Sequence, residues 1–226
     1  DGLAETQVPL GIIPTGTGNL IARELGIPTG LDAAVALIAG TPRPRAVDAM
    51  RVGERVFVLN VSVGVSAEVV GDTSSKEKSR LGRLAYTWTT FRKLFHLEHR
   101  RFDIVVDGTA YQHRAVEVAI LNCGKQANEF HPGGPEILID DGHLDVYIVG
   151  AMRLRDVPRY LFSLVTRRPS ASPLHVIAAK QRVTIRSTAP LEVQGDGDLF
   201  GTTPVEVELL PHAVTVLVPG DADAPA

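Results

Sequence analysis

Cysteine is almost absent: the 226 residues hold one, Cys123. A single thiol cannot close an intrachain disulfide, which fits a reducing compartment. Also lacking is any uninterrupted apolar run near the roughly 20 residues that a membrane-crossing helix requires. No basic stretch followed by an apolar one opens the chain. These absences predict a soluble, cytoplasmic protein. A dominant charge is missing too. The formal net charge is -3, so nothing global argues for nucleic acid, and affinity for an anionic surface must be local. No internal repeat is evident. What is present is core-forming material, 44% hydrophobic residues, enough for one large domain or two small ones.

The most informative stretch is LGIIPTGTGNLIARELGIP, from Leu10 to Pro28. Leu10, Ile12 and Ile13 read as a short strand stopped by Pro14. Gly16 and Gly18 alternate with Thr15 and Thr17, and Asn19 opens a helical pattern through Leu20, Ile21 and Leu25. Glycines let the backbone approach a ligand closely, and free N–H groups at a helix start attract anions. The spacing matches neither G-x-x-x-x-G-K-[ST] nor G-x-G-x-x-G. It fits a phosphate site or a plain strand-to-helix turn.

Asp1 to Gln7 reads as the end of a helix. A helix from Asp32 is stopped by Gly40, and the prolines at 42 and 44 mark a crossing into strand-rich sequence. A boundary near there gives two domains, 1–45 and 46–226. Beyond it β-branched residues alternate through Val47, Val52, Val56, Val58, Val61, Val63 and Val65, with Gly53-Glu54 as a hairpin turn. Leu81, Leu84, Ala85, Trp88, Phe91 and Phe95 fall at helical steps. Arg80, Arg83, Arg92 and Lys93 occupy the other face, followed by His99, Arg100 and Arg101. This is either a membrane-contact helix or a helix with a solvated basic face. Asp107-Gly108 marks a type I′ hairpin within Phe102–Asn122. Ala127 to Ile137 is a loop and Arg155 to Val165 a second helix. The rest reads as an antiparallel meander: Leu174 to Ile177, Val183 to Ile185, Leu191 to Val193, Val205 to Leu209 and Val214 to Val218.

Two acidic segments carry possible chemistry. Asp140-Asp141-Gly142 offers hard oxygen ligands for Mg²⁺ or Ca²⁺, or forms an ordinary turn; it is not an EF-hand. Val193-Gln194-Gly195-Asp196-Gly197-Asp198 is either a solvated hairpin tip or a pair of carboxylates placed to orient or deprotonate an attacking hydroxyl.

Several of these segments carry a resemblance. Pro14, Gly16, Thr17, Gly18 and Asn19, followed by Ala22, Arg23, Leu25, Gly26, Ile27 and Pro28, resemble the P-x-G-T-x-N-D-x-A-R-x-L-G-I-P segment of the diacylglycerol kinase and sphingosine kinase catalytic family; Leu20 stands where the family has aspartate. Asn60, Gly64 and Glu68, with Ala67 and Val69, resemble its F-x-N-x-x-x-x-G-x-x-A-x-V strand, and Leu81-Gly82-Arg83-Leu84 with Tyr86 its L-G-R-L-x-Y helix. Asp140-Asp141-Gly142-His143-Leu144-Asp145 is similar to its D-D-G-x-L-D. Asp196-Gly197-Asp198 with Pro204 is similar to its D-G-E-x-x-x-x-x-P, aspartate replacing glutamate.

The resemblance implies the remnant of an α/β nucleotide-binding domain followed by a larger antiparallel β-sandwich. It implies a lipid kinase that moves the γ-phosphoryl group of ATP to a lipid hydroxyl, with peripheral membrane contact. Thr15, Gly16, Thr17, Gly18 and Asn19 are expected at the ATP phosphates. Asp196 is expected as the base with Asp198 in support. A structural Mg²⁺ is expected on the carboxylate of Asp141 and the main-chain oxygens of Leu138 and His143, and a separate catalytic Mg²⁺ at the ATP phosphates. The family's upstream G-G-D-G-T has no counterpart here, so an N-terminal segment of the nucleotide site is expected to be absent from this sequence. An NAD kinase relative and a non-catalytic lipid- or nucleotide-binding module are the alternatives.

Overall fold

The computed structural model describes residues 1–16, 18–67, 99–124, 137–150 and 174–220. The helices expected at 81–95 and 155–165 lie outside these residues, as does the expected loop up to Ile137. Among the described residues two short helices, α1 (Leu20–Glu24) and α2 (Leu31–Ala39), precede twelve strands. These are β1 (Arg43–Val52), β2 (Arg55–Phe57), β3 (Asn60–Gly64), β4 (Arg100–Val106), β5 (Thr109–Ala115), β6 (Glu117–Leu121), β7 (Leu144–Val149), β8 (Leu174–Ala179), β9 (Arg182–Ser187), β10 (Glu192–Gly195), β11 (Asp198–Thr202) and β12 (Val205–Val218).

They form two six-stranded sheets, ordered β2-β1-β12-β9-β4-β5 and β11-β10-β3-β6-β7-β8. Alternation along each strand decides what the sheets bury between them. In β3, Val61 and Val63 enter the inter-sheet core with Val118 and Ile120 of β6 and Ile104 and Ile185 of the other sheet, while Asn60, Ser62 and Gly64 take the opposite face. Each fully buried aliphatic side chain contributes about 1.5–3 kcal/mol.

The connectivity is a repeat that the sequence does not reveal. Each hairpin is followed by a strand that crosses to the opposite sheet: β1–β2 then β3, β4–β5 then β6, β7–β8 then β9, β10–β11 then β12. The first six strands therefore map onto the last six, and each sheet's order becomes the other's. Register agrees as well: Ile104↔Ile185 and Val105↔Thr184 in one sheet match Val193↔Val63 and Gln194↔Ser62 in the other. The meander expected after Leu174 is thus corrected, because β8, β10 and β11 lie in one sheet and β9 and β12 in the other. The strands expected at 205–209 and 214–218 are one strand. β12 bulges at Pro211-His212, opposite Asp48, where the register with β1 shifts; a proline without an N–H suits such a bulge.

The N-terminal segment packs on the outer face of β1 and β12. Ala22, Leu25 and Ile27 bury against Val47, Ala49, Val214 and Val216, with Leu10, Ile12 and Leu37 at the margin. The strand expected at Leu10–Ile13 reduces to one parallel bridge, Leu10 to Val216. Asp1 to Gln7 forms turns rather than a helix end. α2 starts at Leu31, one residue before the expected Asp32, and is stopped by Gly40 as expected.

Candidate active site

The β10–β11 hairpin turns through Asp196 and Gly197, both at positive φ (50° and 95°), the conformation that suits a two-residue hairpin loop. The Asp196 carboxylate points back onto the β2–β3 connection. It accepts hydrogen bonds from the backbone N–H groups of Val58 (2.8 Å), Leu59 (2.9 Å) and Asn60 (3.0 Å). Asp196 N–H donates to the Asn60 carbonyl at 3.2 Å. Burial of the carboxylate raises its pKa, opposed by the three N–H groups, and the neighbouring Asp198 charge raises it further. Gly195 is required beneath the turn, since a Cβ there would lie 2.5 Å from the Phe57 ring. Asp198 opens β11 opposite Gly195, is exposed like Asp196, and its side chain makes no hydrogen bond or ion pair among the described residues.

The second acidic loop is held by a residue the sequence reading did not single out. Asp48 is fully buried and accepts from the N–H of Gly142 and of His212, each at 2.7 Å, so one carboxylate ties the Asp140-Asp141-Gly142 turn to the β12 bulge. Arg45 donates to Asp140 at 2.8 Å; this bond raises the pKa of Arg45 and lowers that of Asp140. Asp141 accepts through Oδ1 from His143 N–H at 3.0 Å, while His143 Nδ1 lies 2.8 Å from the Asp141 carbonyl. Among the described residues no three His, Cys, Asp or Glu side chains are grouped to hold a metal. The donor set implied by resemblance needs only one carboxylate and two carbonyls. All are hard oxygens of the kind Mg²⁺ takes, and Asp141 Oδ2 has no hydrogen bond among the described residues, so the residues fit.

Asn122 brings the two acidic loops together. Its side-chain N–H₂ donates to the carbonyls of Asp48 and Val58, both at 2.9 Å, and its backbone N–H to Leu59 at 3.0 Å. Its buried side-chain oxygen has no partner among the described residues. The glycine loop closes on itself: Asn19, at φ 47°, accepts from Gly16 N–H at 2.9 Å. Thr17 lies outside the described residues, and no hydrogen bond or ion pair among the described residues joins this loop to Asp196.

Comparison with known proteins bears on the arrangement. The family described as YegS C-terminal NAD kinase beta sandwich-like domain matches residues 59–218, and the diacylglycerol kinase catalytic domain matches residues 1–52. The chain belongs to the diacylglycerol kinase-like family of lipid kinases. A Pseudomonas syringae relative named "Probable lipid kinase YegS-like" is 30% identical over 97% of this chain and 70% of its own. A Bacillus subtilis relative named diacylglycerol kinase is 29% identical over 97% and 73%. A solved Bacillus anthracis structure, named as a candidate diacylglycerol kinase, superposes with a TM-score of 0.75 at 26% identity, covering 98% of this chain and 72% of that one. The chain spans about half, 51%, of a longer Synechocystis relative.

In this lipid kinase family member the sequence locates both acidic turns, the second with Gln194 inside it, but assigns no role to Asp48, Asn122 or Gln194, which hold them. The one available signal was polar residues at alternating strand positions, as at Asn60 and Ser62. At the other end of the sandwich Arg100, Arg101, Arg114, His99 and His113 line a cleft of about 700 Å³, with Arg101 directly opposite Arg114. No helix among the described residues is long and apolar enough to cross a membrane.

Proposed function

We propose that the protein transfers the γ-phosphoryl group of ATP to a lipid hydroxyl, with Asp198 taking the hydroxyl proton and Asp196 fixing the turn. The observation that supports this division is that three backbone amides occupy the Asp196 carboxylate, whereas the Asp198 carboxylate has no hydrogen bond among the described residues, though both residues are exposed. An acceptor already engaged by three donors is a poor base; a free carboxylate two residues on is a better one. The expected order, Asp196 as base and Asp198 in support, is reversed on this reading.

The Thr15 to Asn19 loop contributes to the ATP phosphates, and the Asp141 turn, with Leu138 and His143 carbonyls, holds Mg²⁺. That ion would be structural; a separate Mg²⁺ held with the ATP phosphates would neutralise the charge that builds up during transfer. Asn122 keeps the two acidic turns at a fixed separation, the positioning that phosphoryl transfer chiefly demands. Incubation of the full-length protein with radiolabelled ATP and mixed lipid micelles tests the reading. Labelled lipid is expected; labelled NAD without labelled lipid points to the NAD kinase alternative, and no labelled product points to a binding module.

A further inference from the structure

The fold contains its own control for the Asp196 turn. Asp107, in the equivalent β4–β5 hairpin, accepts from the N–H groups of Lys180 (2.7 Å), Gln181 (2.9 Å) and Arg182 (2.9 Å), and its N–H donates to the Arg182 carbonyl at 3.0 Å. The three-amide clasp is therefore common to both hairpins. What lies behind it is not.

Behind Asp196 runs a buried polar chain on the outer face of β10, β3 and β6. Gly197 N–H donates to Gln194 Oε1 at 3.0 Å. Gln194 Nε2 donates to Asn60 Oδ1 (3.0 Å) and Ser62 Oγ (2.6 Å). The Ser62 and Ser66 hydroxyls lie 2.6 Å apart, and Ser66 donates to the Glu117 carboxylate through its hydroxyl and, at 3.0 Å, its backbone N–H. With the Ser66 proton on Glu117, Ser62 supplies the proton between the two hydroxyls, so every donor from Gly197 onward points toward Glu117. Such aligned bonds strengthen one another in a dry environment. Gln194, Ser62 and Glu117 are all buried. The backbone accommodates the carboxylate: Gly64 has φ 129°, and a Cβ there would lie 2.7 Å from Glu117 Oε2.

Register places Val105 where the first hairpin matches Gln194, Thr184 where it matches Ser62, and Pro204 where it matches Glu117. That hairpin makes the same clasp without the chain, so the chain is not what folds the turn.

We propose that Gln194, Ser62, Ser66 and Glu117 act together as positioning residues, holding the Asp196–Asp198 turn in the register that phosphoryl transfer requires. The proposal rests on the reading in which Asp198 receives the proton. Its test is Ser66→Ala in the full-length protein, which breaks the chain away from the turn, with Ser66→Thr restoring the hydroxyl and Gln194→Met removing the first link at similar size. Amide hydrogen exchange is expected to speed up about ten-fold at Gly197 in Ser66→Ala and to stay unchanged at residues 180–182, the clasp of the other hairpin. In the lipid kinase assay kcat is expected to fall about ten-fold, KM for ATP to hold, and Ser66→Thr to recover both exchange and turnover. Unchanged exchange at Gly197, or equal acceleration at residues 180–182, overturns the proposal. Altered exchange at Gly197 alone, in a protein whose native form labels no lipid, upholds the coupling and refutes the kinase reading instead.

Discussion

Asp107 and Asp196 sit 89 residues apart in sequence numbering, yet each closes an edge hairpin and clasps three consecutive backbone amides of the strand connection beside it. Even a flanking bond recurs, Asn122 N–H to Leu59 in one half and Leu209 N–H to Gln181 in the other. A device used twice at equivalent places belongs to the architecture.

Asp196→Asn and Asp107→Asn should therefore behave alike, each lowering stability by about 1–2 kcal/mol as charged hydrogen bonds become neutral. Asp198→Asn should leave the melting temperature unchanged and reduce kcat by about 10²–10⁴-fold in the full-length protein. Near-normal turnover in Asp198→Asn, checked by single-turnover kinetics, would remove it as the proton acceptor.

Burial lifts the Glu117 carboxyl from its ordinary 4.5 to about 7, against the hydrogen bonds from Ser66, Ser62 and Val65 that favour its charged form. Between those pH values the folded chain holds a proton that the unfolded chain has released. Stability should thus fall as pH rises from about 4.5 to about 7, by about 3 kcal/mol, then level off on this account. Urea denaturation across that range should show the slope in the native protein and lose it in Glu117→Gln; an identical slope in both would assign the pH dependence elsewhere.

Mg²⁺ should raise the thermal stability of the native protein and not that of Asp141→Ala. A ligand held only by the folded state stabilises by mass action, about 2.7 kcal/mol at one hundred times its dissociation constant. Calorimetric scans with and without Mg²⁺ check this, and an equal response in both proteins would falsify the assignment to Leu138, Asp141 and His143.

Arg100 and Arg101, which follow the helix expected to contact the membrane, enter β4 at the basic cleft; Arg92 and Lys93 lie outside the described residues. Each cation near an anionic bilayer contributes about 1 kcal/mol, screened by salt. Binding to vesicles containing anionic lipid should weaken as salt rises and when Arg92, Lys93, Arg100 and Arg101 become glutamine. Binding that ignores both changes would leave the basic face merely solvated.

Local chemistry was legible in the sequence because it acts over a few residues. Asp107-Gly108 and Gly53-Glu54 specify hairpins through the φ values their residues accept, and both form. Alternating valines specify which side of a strand is apolar, and Val61 and Val63 are buried accordingly. The ordered motifs specified the family, since each records a local backbone shape.

Alternation does not state which sheet a strand joins, so the crossing after every hairpin, and with it the repeat, appears only when the two sheets pack. The same holds for the polar residues. Asp48 read as one more residue in a strand, and only the β12 bulge beside it makes a buried carboxylate satisfiable by Gly142 and His212. The roles of Asp196 and Asp198 look interchangeable along the chain. Tertiary structure gives them different surroundings by bringing the amides of residues 58–60 to the Asp196 carboxylate, while the Asp198 side chain has no hydrogen bond among the described residues, a difference set by long-range hydrogen bonding.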